Sequence, residues 1–222
     1  MNPSILSTRK LSRSQRELLL NAGIGLVEKD FISIEPLEFS VEDLPENLIF
    51  TSRNSVELFH CKYSEEDLRN WNIFCVGEKT AALLSSKGYS VKETEDYGAS
   101  LARIIAEHYQ GREFVFFCGK KRNPDLPEYL RRHQVNFREI HLYNTLFTPS
   151  KIDRIFEGVL FFSPSGVQSF CLENSLSGSL AFCIGTTTAA EAEKHTRNLV
   201  LATKPTIESV IVQVIKHFGP RT

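Results

Sequence analysis

Apolar residues along the chain come in short, nearly continuous runs, at 4–7, 48–50, 73–76, 114–118, 159–162 and 180–184. Runs of that length without a polar face suit strands covered on both sides, as in parallel sheets. Between them, helical periodicity marks 14–21, 65–69, 80–87, 99–109, 127–133, 188–195 and 207–218. Several of these stretches open on Ser or Thr and end near Gly or Asn, the residues that satisfy free helix ends. Strand alternating with helix predicts an α/β fold of parallel sheets flanked by helices.

The pattern also repeats. IFTSRNSVELF at 49–59 followed by FCVGEKTAALLSSKGYSV at 74–91 has a second version, LFFSPSGVQSF at 160–170 followed by FCIGTTTAAEAEKHTRNLV at 182–200. Val56 falls on Val167 and Gly77 on Gly185, offsets of 111 and 108 residues. A third likeness is permuted: 4–32 and 114–143 both read strand, basic loop, helix, strand. If the first unit belongs with the last copy, residues 1–35 and 149–222 form one discontinuous lobe, and 40–141 form a similar lobe inserted in it. The crossovers are then the extended stretches 35–40 and 142–148, edged by Pro36 and Pro149. Two adjacent linkers of this kind make a hinge. Paired polar loops would face each other across a cleft that suits a ligand much larger than one side chain.

Composition narrows the partners. A net charge of −1 gives no basic face for nucleic acid, so an anionic ligand must be held by local donors. No apolar run approaches the ~20 residues of a membrane span, and residues 1–25 lack the apolar core of a signal peptide. A cytoplasmic protein is expected, with its five cysteines reduced. Its six histidines are scattered without ligand spacing, so no metal is expected. No long apolar helix stripe asks for a partner, which makes a monomer the expectation.

In an open parallel sheet, ligands gather beyond the carboxyl ends of the strands. The loops there hold Arg9, Thr51, Ser52, Gly77, Thr80, Ser163, Ser165, Gly166, Gly185, Thr187 and Thr188, with Lys120, Lys121 and Arg122 in a further basic loop. Hydroxyls and free amides at helix starts bind carboxylates and phosphates. Helix capping is the simpler role for any one of these loops, but six such loops together point to a ligand. Ser163-Pro164-Ser165-Gly166 lacks the nucleophile-elbow pattern, and Gly119-Lys120-Lys121 lacks the upstream spacing of a phosphate loop. Tyr143, on a crossover, places a phenol where it could donate to a leaving oxygen, although strand tyrosines are commonly half-buried packing residues.

Together these residues resemble the uroporphyrinogen-III synthase family. The likeness is carried by Phe161-Phe162-Ser163-Pro164-Ser165-Gly166-Val167, Ile184-Gly185-x-Thr187-Thr188-Ala189 and Leu142-Tyr143-x-Thr145. Thr51-Ser52-x-Asn54-x-Val56 and Val76-Gly77-x-x-Thr80-Ala81 extend it. The resemblance implies two α/β lobes joined by a two-stranded linker. It implies a cyclising hydro-lyase that needs no cofactor and acts on hydroxymethylbilane, a linear tetrapyrrole with eight carboxylates. The hydroxyl leaves as water, the far ring is attacked through a spiro intermediate, and that ring is inverted on closure to uroporphyrinogen III. Tyr143 then assists hydroxyl departure, while Thr187, Thr188, Ser163 and Thr80 contact the substrate. The other reading of the same pattern is a bilobal small-molecule receptor or regulator without catalysis.

Overall fold

Continuous apolar runs become central strands because both of their faces are covered. A computed structural model describes residues 2–40, 43–63 and 71–220. The first stretch holds β1 (Ser4–Ser7), α1 (Arg13–Asn21), β2 (Gly25–Glu28) and β3 (Ile32–Pro36). Next come β4 (Asn47–Phe50), α2 (Arg53–His60), β5 (Asn72–Val76), α3 (Glu78–Ser86), β6 (Val91–Glu95), α4 (Gly98–His108), β7 (Glu113–Gly119), α5 (Asp125–Arg132) and β8 (Asn136–Phe147). The last stretch adds β9 (Gly158–Phe161), α6 (Pro164–Cys171), β10 (Leu180–Cys183), α7 (Thr186–Ala192), β11 (Leu199–Leu201) and α8 (Ile207–Phe218). The helix expected over 65–69 lies outside the described residues.

Contacts divide the chain into two units, one of Met1–Ser33 with Leu146–Thr222 and one of Ile34–Thr145. The first contains a parallel sheet in the order β11-β10-β9-β1-β2. The second contains β3-β8-β7-β4-β5-β6, parallel from β8 onward. Leu37 N–H donates to Leu142 O and Thr148 N–H to Phe31 O, so β3 runs antiparallel to β8. Set β9, β10, β11, β1 and β2 beside β4, β5, β6, β7 and β8, and the two strand orders coincide. In each sheet the order reverses at one place: between β9 and β1, and between β4 and β7. That is where an open α/β sheet leaves room for a ligand.

Alternation along each strand sends neighbours to opposite layers. In the unit of Ile34–Thr145, Leu48 and Phe50 pack with Val56, Phe59 and Leu84 of α2 and α3, while Ile49 packs with Leu101, Ile105, Leu126 and Leu130 of α4 and α5. In the other unit, Val159 and Phe161 meet Val167, Phe170 and Ala192 of α6 and α7; Leu160 meets Leu19, Val210 and Val214 of α1 and α8. Among the described residues no helix is long and apolar enough to cross a membrane.

Candidate active site

At the carboxyl end of β4 the chain turns through Thr51 and Ser52 into α2. Ser52 is extended and its Oγ accepts the Ser55 N–H at 3.1 Å, an N-cap that satisfies one free donor of the helix start. Its hydroxyl also lies 3.1 Å from the Tyr143 hydroxyl and 2.9 Å from Ser55 Oγ. Tyr143 belongs to β8, next to β7. The pairing runs Cys118↔His141 and then Gly119↔Tyr143, a register shift that leaves Leu142 as an extra residue. Strict alternation would put Tyr143 on the same face as His141. The extra residue instead places Tyr143 with Leu142, in the core layer of α2 and α3. Its ring lies so close to Gly119 that a Cβ there would stand 2.5 Å from a ring carbon. Lys120 N–H donates to the Tyr143 carbonyl at 2.9 Å, fastening the loop after β7 beside it. The phenol therefore sits where the strand order reverses, 7 % exposed.

The corresponding place in the other unit is built from Thr8 and Ser163. The Thr8 hydroxyl and N–H both donate to Leu160 O, at 2.7 and 3.2 Å, tying the end of β1 to β9. Ser163 caps α6 by accepting the Gly166 N–H at 3.1 Å, with Pro164 in the first turn. A Cβ on Gly166 would lie 3.4 Å from Ser163 Oγ and 3.7 Å from Thr8 Oγ1. Arg9 is exposed beside the Phe162 ring, 6.0 Å from its centroid.

The second pair of loops departs from the sequence expectation. The helices begin at Glu78 and Thr186, with Gly77 and Gly185 as caps that have no side chain. Gly77 has φ +89°, a conformation that favours glycine. Thr80 and Thr188 therefore do not cap: they are the third residues of their helices and face the fold, 6 % and 1 % exposed, while Thr187 is exposed. Thr51 makes no cap contact, and Ser165 lies within the first turn of α6.

On the other face of β8, Cys118, Glu139 and His141 bring one ligand-type atom each within 4.8 Å of one another. Both Glu139 oxygens are bonded to guanidinium groups, one to Arg122 and one to Arg131. Burial pulls the Glu139 pKa up, but Arg122, Arg131 and His141 outweigh it and hold the carboxyl below its ordinary range. Burial, then Glu139, pushes the Cys118 thiol up to about 12. With both carboxylate oxygens committed, the group is an ion-pair network rather than an open metal site.

A sequence model of the family described as uroporphyrinogen-III synthase HemD matches residues 14–212. The chain belongs to this family. A porphyrin biosynthesis protein HemD from Ruminiclostridium josui is 28 % identical over an alignment 191 positions long that covers 78 % of this chain and 38 % of that relative's length. The chain thus spans well under half of that protein. A crystal structure of uroporphyrinogen-III synthetase from Helicobacter pylori 26695 superposes with a TM-score of 0.73 at 18 % identity, covering 98 % of this chain and 100 % of that one. A mutant uroporphyrinogen III synthase from Thermus thermophilus gives 0.62 at 16 % identity, over 97 % and 98 % of the two chains. At such identities these likenesses are of fold. The synthase family acts on a tetrapyrrole. Within this member of the synthase family, sequence reasoning missed Ser55, Gly119 and the extra residue in β8. Ser55 could have been found as the hydroxyl three residues after Ser52, at the place Gly166 holds after Ser163.

Proposed function

We propose that this chain is a uroporphyrinogen-III synthase: it cyclises hydroxymethylbilane with loss of water and inversion of the terminal ring. Family membership supports the reaction class, and the placement of the Tyr143 phenol at the strand-order reversal carries the reading for this chain. Tyr143 gives its proton to the departing hydroxyl, the C–O bond breaks, and the methylene cation left behind is stabilised by the lone pair of its pyrrole nitrogen. The substituted carbon of the far ring attacks, giving a spiro centre. The bond from that centre to the methylene that first tethered the far ring then breaks, leaving a second cation stabilised by the adjacent ring's nitrogen. The far ring's free α-carbon, across its own nitrogen, captures it, and the proton which that carbon loses on rearomatisation balances the one given away. Nothing is oxidised or reduced, so the balance calls for no cofactor. A positioned acid contributes ~10²–10⁴ in rate.

The substrate's carboxylates match the donors at the strand ends. In one unit Arg9, Ser163, Ser165 and Thr187 offer side chains and the turns at Gly166 and Gly185 offer backbone amides at helix starts; in the other, Thr51 offers a side chain and the turn at Gly77 backbone amides. Because Thr80 and Thr188 face inward, the reading assigns them to shaping those turns rather than to direct contact. The test is an isomer assay. Freshly made hydroxymethylbilane is supplied, the products are oxidised, and uroporphyrins I and III are separated. Type III well above the enzyme-free control is expected; type I alone, at the spontaneous rate, would reject the proposal.

A further inference from the structure

Ser55 is fully buried, and among the described residues its hydroxyl meets only Ser52 Oγ, at 2.9 Å. A buried hydroxyl out of reach of water gives its one hydrogen to the acceptor it has. Ser52 Oγ then accepts twice, from Ser55 Oγ and from the Ser55 N–H, and both its lone pairs are used. Its own hydrogen is left for Tyr143 Oη at 3.1 Å. Among the described residues the phenol has no other partner, so its hydrogen is the free end of the chain.

We infer that Ser55 and Ser52 form a hydroxyl relay that donates into Tyr143, keeping the phenolic hydrogen available for a ligand, and that Gly119 admits the ring to this position. The three are positioning residues, and the inference rests on the role proposed above for Tyr143. A hydrogen bond donated to the phenol oxygen strengthens the bond that the phenol itself donates. A Cβ at Gly119, 2.5 and 2.6 Å from two ring carbons, would push the ring off this line.

The test is Ser52→Asp. An Asp caps a helix as well as a Ser, but an ionised carboxylate only accepts. The phenol would then donate inward, reversing the bond while keeping the helix start. Resonance Raman difference spectra against Tyr143→Phe isolate the tyrosine Fermi doublet of Tyr143, whose intensity ratio tells an accepting phenol from a donating one. The wild type is expected to read as acceptor, Ser52→Asp as donor, and Ser52→Thr to return towards the wild type. In the isomer assay Ser52→Asp should lower kcat roughly tenfold or more with KM within about twofold, and Ser52→Thr should recover much of the loss. An unchanged doublet in Ser52→Asp, or a donor reading in the wild type, overturns the relay whatever the activity. A reversed doublet with undiminished turnover overturns the positioning role. A wild type that makes no type III product sinks the functional reading, while the doublet still reads the relay on its own.

Discussion

Tyr143 owes its position to one surplus residue. Leu142 is the residue that the β7–β8 pairing skips, and without it the phenol would share a face with His141 and Glu139. The hydroxyl adds little to folding: a typical net hydrogen bond contributes about 1 kcal/mol, and the ring keeps its packing without it. Tyr143→Phe is therefore expected to retain the fold, with Tm lowered by roughly 2–4 °C. Turnover should instead fall by ~10²–10⁴, since that is the range for loss of a positioned acid. Substrate binding should survive, because the strand-end donors are untouched. Thermal melts beside single-turnover type III formation check both halves, and equal turnover in the two proteins would remove Tyr143 from the mechanism.

At the level of elements, Glu139 joins three of them: its own strand β8, the loop after β7 through Arg122, and α5 through Arg131. Its folded-state pKa lies below the ordinary value, because the guanidiniums outweigh burial. The network therefore stabilises the fold above the unfolded carboxylate value of about 4.3 and loses that contribution as pH falls through the lower folded value. Urea midpoints should drop across that acid window, and Glu139→Gln should be weaker at neutral pH yet flatter in acid; parallel curves for the two proteins would exclude Glu139 as a source of the slope. The sequence could not announce this group, since it depends on the register that sets Cys118 opposite His141. Central strands were legible because β4, β7 and β9 are apolar on both faces. The starts of α3 and α7 were misread by two residues because a glycine without a side chain caps each, and the hydroxyl that looked like a cap belongs to the third residue of the helix. Ser52 and Ser163, by contrast, were readable as polar residues ahead of helices, and both cap.

For the whole molecule, connectivity sets an order of events. One unit is the uninterrupted stretch Ile34–Thr145, whereas the other needs Met1–Ser33 and Leu146–Thr222 together. The permuted likeness of 4–32 to 114–143 was the sequence sign of a strand order that the two sheets share. The pairing of β1 with β9 joins Ile5 to Gly158 and Leu6 to Val159, and the Thr8–Leu160 bonds span 152 residues. Closing so long a coil costs entropy before any contact repays it, and long-range pairing slows folding. Once the continuous unit has formed, the chain between residues 33 and 146 is no longer coil but runs between β3 and β8, which are hydrogen-bonded neighbours. The separation that β1 and β9 must overcome then shrinks to the short segments flanking those strands. In pulsed hydrogen exchange during refolding, amides of β4, β5 and β7 should gain protection before those of β1, β9 and β10. Simultaneous protection of both sets would mean that the discontinuous sheet does not wait for the inserted one, and that its ends find each other through the collapsed chain instead.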